Sequence, residues 1–172
     1  MKYNELFDLS KDVILQLGFT GPIGRQFANI FAESGCRLIL GDNNVMDGEE
    51  IAGKLKQVNN KVEFVSIDVT NEADVAGLVQ DIEGNYGKIT VLVNAFSKRP
   101  SDFNKSFEES NYTSWKAVLE VNLSAMYIVC REVSKVMMKN RQGSIISLAS
   151  IQGVVGNDKR LYAGSKFKGT QM

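Results

Sequence analysis

The chain contains no histidine, and that one gap removes Ser-His-Asp triads, Cys-His pairs and His-ligated zinc. Any acid–base chemistry is left to carboxylates, lysine, tyrosine or cysteine. Cysteine occurs only twice, as Cys36 and Cys130, in apolar settings and without metal-ligand spacing. Both are expected to be small buried hydrophobes in a reducing compartment. No apolar run approaches the roughly 18 residues of a membrane span. The opening "MKYNELFDLSKD" is too polar for a signal peptide. A cytoplasmic protein with no membrane partner is expected. An excess of one charge is missing too: 20 basic residues balance 20 acidic ones. No net field recruits nucleic acid or an anionic surface, so neither is expected as a partner. The small cluster Lys135, Lys139 and Arg141 falls at the end of a predicted helix, where it serves the helix dipole.

What is present is the composition of a globular protein, 44% hydrophobic and 23% charged over 172 residues, enough for one domain spanning 1–172. Short β-rich runs alternate with helical patterns. "DVILQL" (12–17) predicts a strand ending at Gly18. Phe27, Ile30 and Phe31 mark a helix from Ile23 to Ser34, which Gly35 stops. "CRLILGD" (36–42) predicts a second strand, and Met46 to Val58 a helix with Ile51, Leu55 and Val58 on one face. "KVEFVSID" (61–68) is followed by a helix whose stripe is Val75, Leu78, Val79 and Ile82. "ITVLVN" (89–94) is apolar almost throughout, as a strand buried on both faces must be. After a polar loop over 95–111, one long helix is predicted from Ser114 to Met138, then the strand "GSIISLAS" (143–150). The loop "IQGVVGNDKR" leads to a helix beginning near Leu161. Such alternation predicts an α/β fold with a doubly wound parallel sheet.

In such a sheet the turn after the first strand is where a dinucleotide pyrophosphate rests, against backbone N–H groups and a helix N-terminus. Here it reads "LGFTGPIG", with Gly18, Gly21 and Gly24. A glycine-rich turn alone can simply redirect the chain. The next strand adds weight, because Asp42 closes it. A carboxylate there accepts the hydroxyl hydrogens of an adenosine ribose and repels a 2′-phosphate. No Arg or Lys occurs in "GFTGPIG" or just after Asp42, so the expected cofactor is NAD, with NADP disfavoured.

The order of these motifs resembles the short-chain dehydrogenase/reductase family, over essentially the whole chain. The family opens with T-G-x-x-x-G-[IL]-G, and "LGFTGPIG" matches it at Gly18, Ile23 and Gly24, with Thr20 inside the turn. Asp68-Val69 matches the "D-[VL]" that flanks adenine. Asn94 is what survives of N-N-A-G, here "NAFS". Asn122 in "EVNLSA" matches the active-site asparagine. "GSIISLAS" places the catalytic serine at Ser150, and "YAGSK" matches Y-x-x-x-K with Tyr162 and Lys166.

The resemblance implies a Rossmann fold and an NAD-dependent oxidoreductase interconverting a small-molecule alcohol and a carbonyl, with a sugar, polyol or oxoacyl substrate. Tyr162 would exchange a proton with the substrate oxygen. Lys166, one helical turn on, would draw the phenol's pKa down and hold the nicotinamide ribose. Ser150 would hydrogen-bond the same oxygen, and Asn122 would hold a water connecting Lys166 to solvent. Four departures accompany the match. Leu17 replaces a threonine, Pro22 replaces the middle glycine, "NAFS" replaces N-N-A-G, and Ser150 and Tyr162 stand one residue closer than is usual. The resemblance also implies that strands six and seven and a substrate-covering segment are missing, leaving one flank of the sheet uncovered. A homo-oligomer is implied for a full-length relative. A non-catalytic nucleotide-binding module, or an inactive fragment of such an enzyme, stays open as the alternative.

Overall fold

The computed structural model describes residues 8–103, 105, 107–155, 158, 160 and 164. Five strands form one sheet: β1 (Val13–Leu17), β2 (Arg37–Asp42), β3 (Val62–Ser66), β4 (Val91–Asn94) and β5 (Ser144–Ser147). Their order is β3-β2-β1-β4-β5, and every neighbouring pair is parallel. Parallel neighbours need a crossover, and four helical connections supply it. These are α1 (Pro22–Glu33), α2 (Val45–Val58), α3 (Glu72–Tyr86) and the pair α4 (Tyr112–Leu119) and α5 (Met126–Asn140).

The helices cover both faces. On one, Leu15, Leu17, Ile39 and Leu92 pack with Val75, Leu78, Val79 and Ile82 of α3 and Val129, Val133 and Val136 of α5. On the other, Ile14, Leu38, Leu40 and Val62 pack with Ala28 and Ala32 of α1 and Ile51, Ala52 and Leu55 of α2. That two-sided burial is why the central strands read as unbroken apolar runs. The doubly wound architecture expected from the sequence is the one observed.

Helix ends follow local chemistry. Pro22 occupies the first turn of α1, where a missing N–H and a fixed φ cost nothing. Asn44, Asn71 and Asn111 cap α2, α3 and α4 by accepting backbone N–H groups. Gly87, at φ 74°, closes α3 in the left-handed region that glycine enters freely.

Three details differ from the sequence reading. The residues that mark α1 are only partly buried: Phe31 packs against the core, Ile30 is 59% exposed, and the buried residues of the helix are Gly24, Ala28 and Ala32. Small side chains let this helix sit close to the strands. Val58 likewise points outward, while Ile51 and Leu55 face the core. The long helix is interrupted, since Glu120–Ala125 forms a π-helical segment between α4 and α5. A helix beginning near Leu161 lies outside the described residues. Ser144–Ser147 forms one edge of the sheet, and among the described residues all four are exposed.

Candidate active site

Because all strands are parallel, their carboxyl ends share one rim. The chain order reverses between β1 and β4, which opens a crevice at that point of the rim. A cleft of about 350 Å³ lies there. One wall is the turn Gly18, Thr20 and Gly21. The floor and far wall come from Gly41–Asn44, Ile67–Thr70, the segment Ala95–Lys98 after β4, and Val121.

The turn is tight for steric reasons. Gly18 has φ 80°, and a Cβ there would run into the backbone of Phe96 and Ala95. A Cβ on Gly24 would run into the Gly18 carbonyl oxygen. Both positions need glycine, one for backbone conformation and close approach, the other for approach alone. Beneath the turn, the buried Gln16 amide donates to the Gly24 carbonyl at 2.6 Å.

Asp42 is half-buried at the end of β2 and ties the two walls together. Its Oδ2 accepts the Thr20 N–H at 3.0 Å and the Thr20 hydroxyl at 2.9 Å; its Oδ1 accepts the Asn44 N–H at 3.1 Å. Each carboxylate oxygen has two lone pairs, so Oδ1 keeps accepting capacity. Arg25, the residue just beyond the glycine turn, folds back to donate to the Thr20 carbonyl at 3.4 Å. Although "GFTGPIG" itself holds no Arg or Lys, the fold brings this cation to the rim of the wall.

Asp68 lines the cleft with Val69. Its Oδ1 accepts the Thr70 N–H at 2.9 Å and hydroxyl at 2.7 Å, and these bonds, the hydroxyl's first, hold its carboxyl below the usual range. Asn94 does not reach the cleft. It is fully buried below it, donating to Ser147 Oγ at 3.2 Å and so joining β4 to β5. Ile23 is 61% exposed at the start of α1 and is not part of the cleft wall.

Asn122 sits in the π segment, where an extra residue per turn pushes backbone out of register, a distortion frequent at functional sites. Its side chain clasps Lys98: Oδ1 accepts the Lys98 N–H at 2.7 Å, and Nδ2 donates to the Lys98 carbonyl at 3.4 Å. Ser150 is exposed just after β5, and its carbonyl accepts the Gly153 N–H in a short 3₁₀ turn. Tyr162 and Lys166 lie outside the described residues. Gly18, Thr20, Asp42, Asp68 and Val69 are thus brought together in one cleft, Gly24 and Asn94 support it from below, and Asn122 braces its edge. Asn44, Thr70, Phe96 and Lys98 also contribute and were not singled out from sequence.

The short chain dehydrogenase family model matches residues 12–172. The chain belongs to that family. It is an oxidoreductase family that works with NAD or NADP. Among curated relatives, the uncharacterized oxidoreductase YxjF of Bacillus subtilis is 32% identical over 148 residues, covering 86% of this chain and 56% of that protein. The 3-oxoacyl-[acyl-carrier-protein] reductase FabG of Thermotoga maritima is 31% identical over 160 residues, covering 92% of this chain and 63% of that protein. Among solved structures, an NAD+-bound xylitol dehydrogenase superposes with a TM-score of 0.76 at 28% identity, covering 87% of this chain and 56% of that one. The chain therefore spans between about half and two thirds of the length of the curated relatives it matches. No described helix is long and apolar enough to cross a membrane, and no His, Cys, Asp or Glu grouping among the described residues could hold a metal ion.

Proposed function

We propose that this chain is the cofactor-binding part of an NAD-dependent oxidoreductase that interconverts an alcohol and a carbonyl. The observation that carries the reading is Asp42 at the carboxyl end of β2, braced by Thr20 across a turn in which Gly18 and Gly24 have no room for a Cβ. The residues fit a dinucleotide. Gly18, Thr20 and Gly21 form the cleft wall on which a diphosphate would rest, Asp42 offers acceptor capacity to ribose hydroxyls, and Asp68-Val69 lie along the wall beyond. The negative charge at Asp42 opposes a 2′-phosphate, which supports NAD over NADP.

When bound, the nicotinamide supplies or takes up the hydride. This chain's own residues handle the proton and the positioning. Tyr162 exchanges a proton with the substrate oxygen, and Lys166 favours the phenolate by its positive charge. Ser150 donates to the same oxygen as charge develops on it. Asn122 holds the edge of the site. A polyol or an oxoacyl thioester is the proposed substrate class, on the strength of the xylitol dehydrogenase and 3-oxoacyl reductase likenesses.

Parallel titrations with NADH and NADPH, followed by energy transfer from the sole tryptophan, Trp115, test the cofactor half. Saturable NADH binding with much weaker NADPH binding is expected. A panel of polyols and oxoacyl esters with NAD(H) then tests turnover, with Tyr162→Phe as the control that keeps binding and loses rate. Binding without turnover on any substrate would favour the non-catalytic nucleotide-binding alternative; binding of neither nucleotide would sink the reading.

A further inference from the structure

The walls of the cleft carry two carboxylates, Asp42 and Asp68. Among the described residues that line it, one is a cation, Lys98. A dinucleotide brings two phosphate charges into that setting, so the balance of the walls leaves one ammonium to meet them. The placement of Lys98 suits the task. It follows β4 in the segment that abuts the glycine turn, where the missing Gly18 Cβ leaves room for the Phe96 backbone. The pyrophosphate-binding end of the cleft and the start of the Lys98 loop are therefore in direct contact.

The lysine is also held where it stands. Asn122 accepts its N–H and donates to its carbonyl, fixing both backbone polar groups of Lys98 while leaving the side chain exposed at the cleft. The helix that follows the glycine turn, α1, begins with Pro22, which has no N–H to offer an anion. The first turn of α1 thus presents one donor fewer than a glycine at that position would give, a deficit that a cation lining the same cleft offsets.

We infer that Lys98 is a binding residue for the dinucleotide's pyrophosphate, supplying the positive charge that the Pro22-containing turn lacks. This rests on the cofactor reading given above. The test compares the full chain with Lys98→Met and Lys98→Arg, titrating NADH, NADPH, ADP-ribose and adenosine at low and moderate salt. For Lys98→Met, the affinity for NADH and ADP-ribose should fall by about 10-fold or more, as expected for losing a hydrogen bond to a charged group. Its adenosine affinity should not change. The salt dependence of ADP-ribose binding should flatten, because screening acts on the ammonium that was removed. Lys98→Arg should retain most of the affinity.

Unchanged ADP-ribose affinity in Lys98→Met would overturn the inference while wild-type NADH binding kept the cofactor reading intact. An equal loss for adenosine would make Lys98 a prop of the loop and overturn it as well. A loss confined to NADPH would place the lysine on the 2′-phosphate instead. Failure of the wild-type chain to bind NADH and ADP-ribose would remove the cofactor reading and this inference together.

Discussion

Thr20 gives both its backbone N–H and its hydroxyl to one oxygen of Asp42, at 3.0 and 2.9 Å, joining the glycine turn after β1 to the end of β2. The carboxylate is thereby aimed before any nucleotide arrives. Removing the charge should act on nucleotide choice more than on folding. For Asp42→Ser, NADH affinity should fall by about 10-fold or more, the cost of losing charged acceptors for hydroxyl donors. NADPH affinity should rise, since the repulsion is gone and the Arg25 guanidinium remains beside the Thr20 carbonyl. Parallel titrations read both. A variant that kept a wild-type preference for NADH would show that Asp42 does not discriminate.

A methyl group is enough to disturb the neighbouring turn. The Cβ of Gly24→Ala would overlap the Gly18 carbonyl oxygen and the Phe19 Cα, all backbone, so no side chain can swing aside. Overpacking of this kind costs about 1–3 kcal/mol, and relief must come from moving the cradle itself. Urea unfolding should report a loss in that range, and NADH affinity should fall beyond what the stability change explains. By contrast, Gly53→Ala in α2 meets nothing within 4 Å and should be neutral or slightly stabilising. Equal behaviour of the two variants would contradict the steric account.

How much of this was legible beforehand depends on how local each signal is. The strands were readable because burial on both faces forces apolar runs, and α3 was readable because Val75, Leu78, Val79 and Ile82 all face the core. Phe27, Ile30 and Phe31 marked α1 as a helix, but its fully buried residues, Gly24, Ala28 and Ala32, are too small to stand out beside them. The π segment left no trace in residue type, since one extra residue per turn does not alter composition. Asp42 was found from its place at a strand end. Lys98 was missed because its partner Asn122 is distant in sequence, and only the fold makes it the cation of the cleft wall.

Asp102 should give the chain part of its acid sensitivity. It is 4% exposed, and its Oδ2 accepts the Asn111 N–H at 2.9 Å and the Asn111 amide at 2.8 Å. Asn111 in turn caps α4, accepting the Ser114 N–H at 2.8 Å. The Asn111 backbone N–H, and after it Ser114, hold the Asp102 carboxyl below its ordinary range. A lowered folded value means that the folded state releases this proton where the unfolded chain still keeps it. The stability from this group is therefore whole above the ordinary carboxylate range and is lost as pH falls through the lowered value. Urea midpoints taken from about pH 6 down to about pH 2 should converge between wild type and Asp102→Asn at the acid end. Parallel curves over the whole range would mean that Asp102 is not one of the groups responsible.

Gln16 offers the opposite sign. It is fully buried in β1, its Nε2 donates to the Gly24 carbonyl at 2.6 Å, and its Oε1 has no partner among the described residues. The amide thus makes one bond and leaves one acceptor stranded. Gln16→Leu removes both together, and replacing a half-satisfied group by an apolar one of similar volume should change stability by less than about 1 kcal/mol. Gln16→Glu should be far worse at neutral pH, because a buried carboxylate would face a carbonyl oxygen with no proton between them. Burial raises the folded pKa of that new carboxyl, so its penalty is relieved as pH falls and the acid form can donate to Gly24 as the amide did. Urea unfolding of the three proteins at neutral and mildly acidic pH separates these effects. A loss above about 3 kcal/mol for Gln16→Leu would mean that the single bond to Gly24, rather than packing, holds α1 to the sheet.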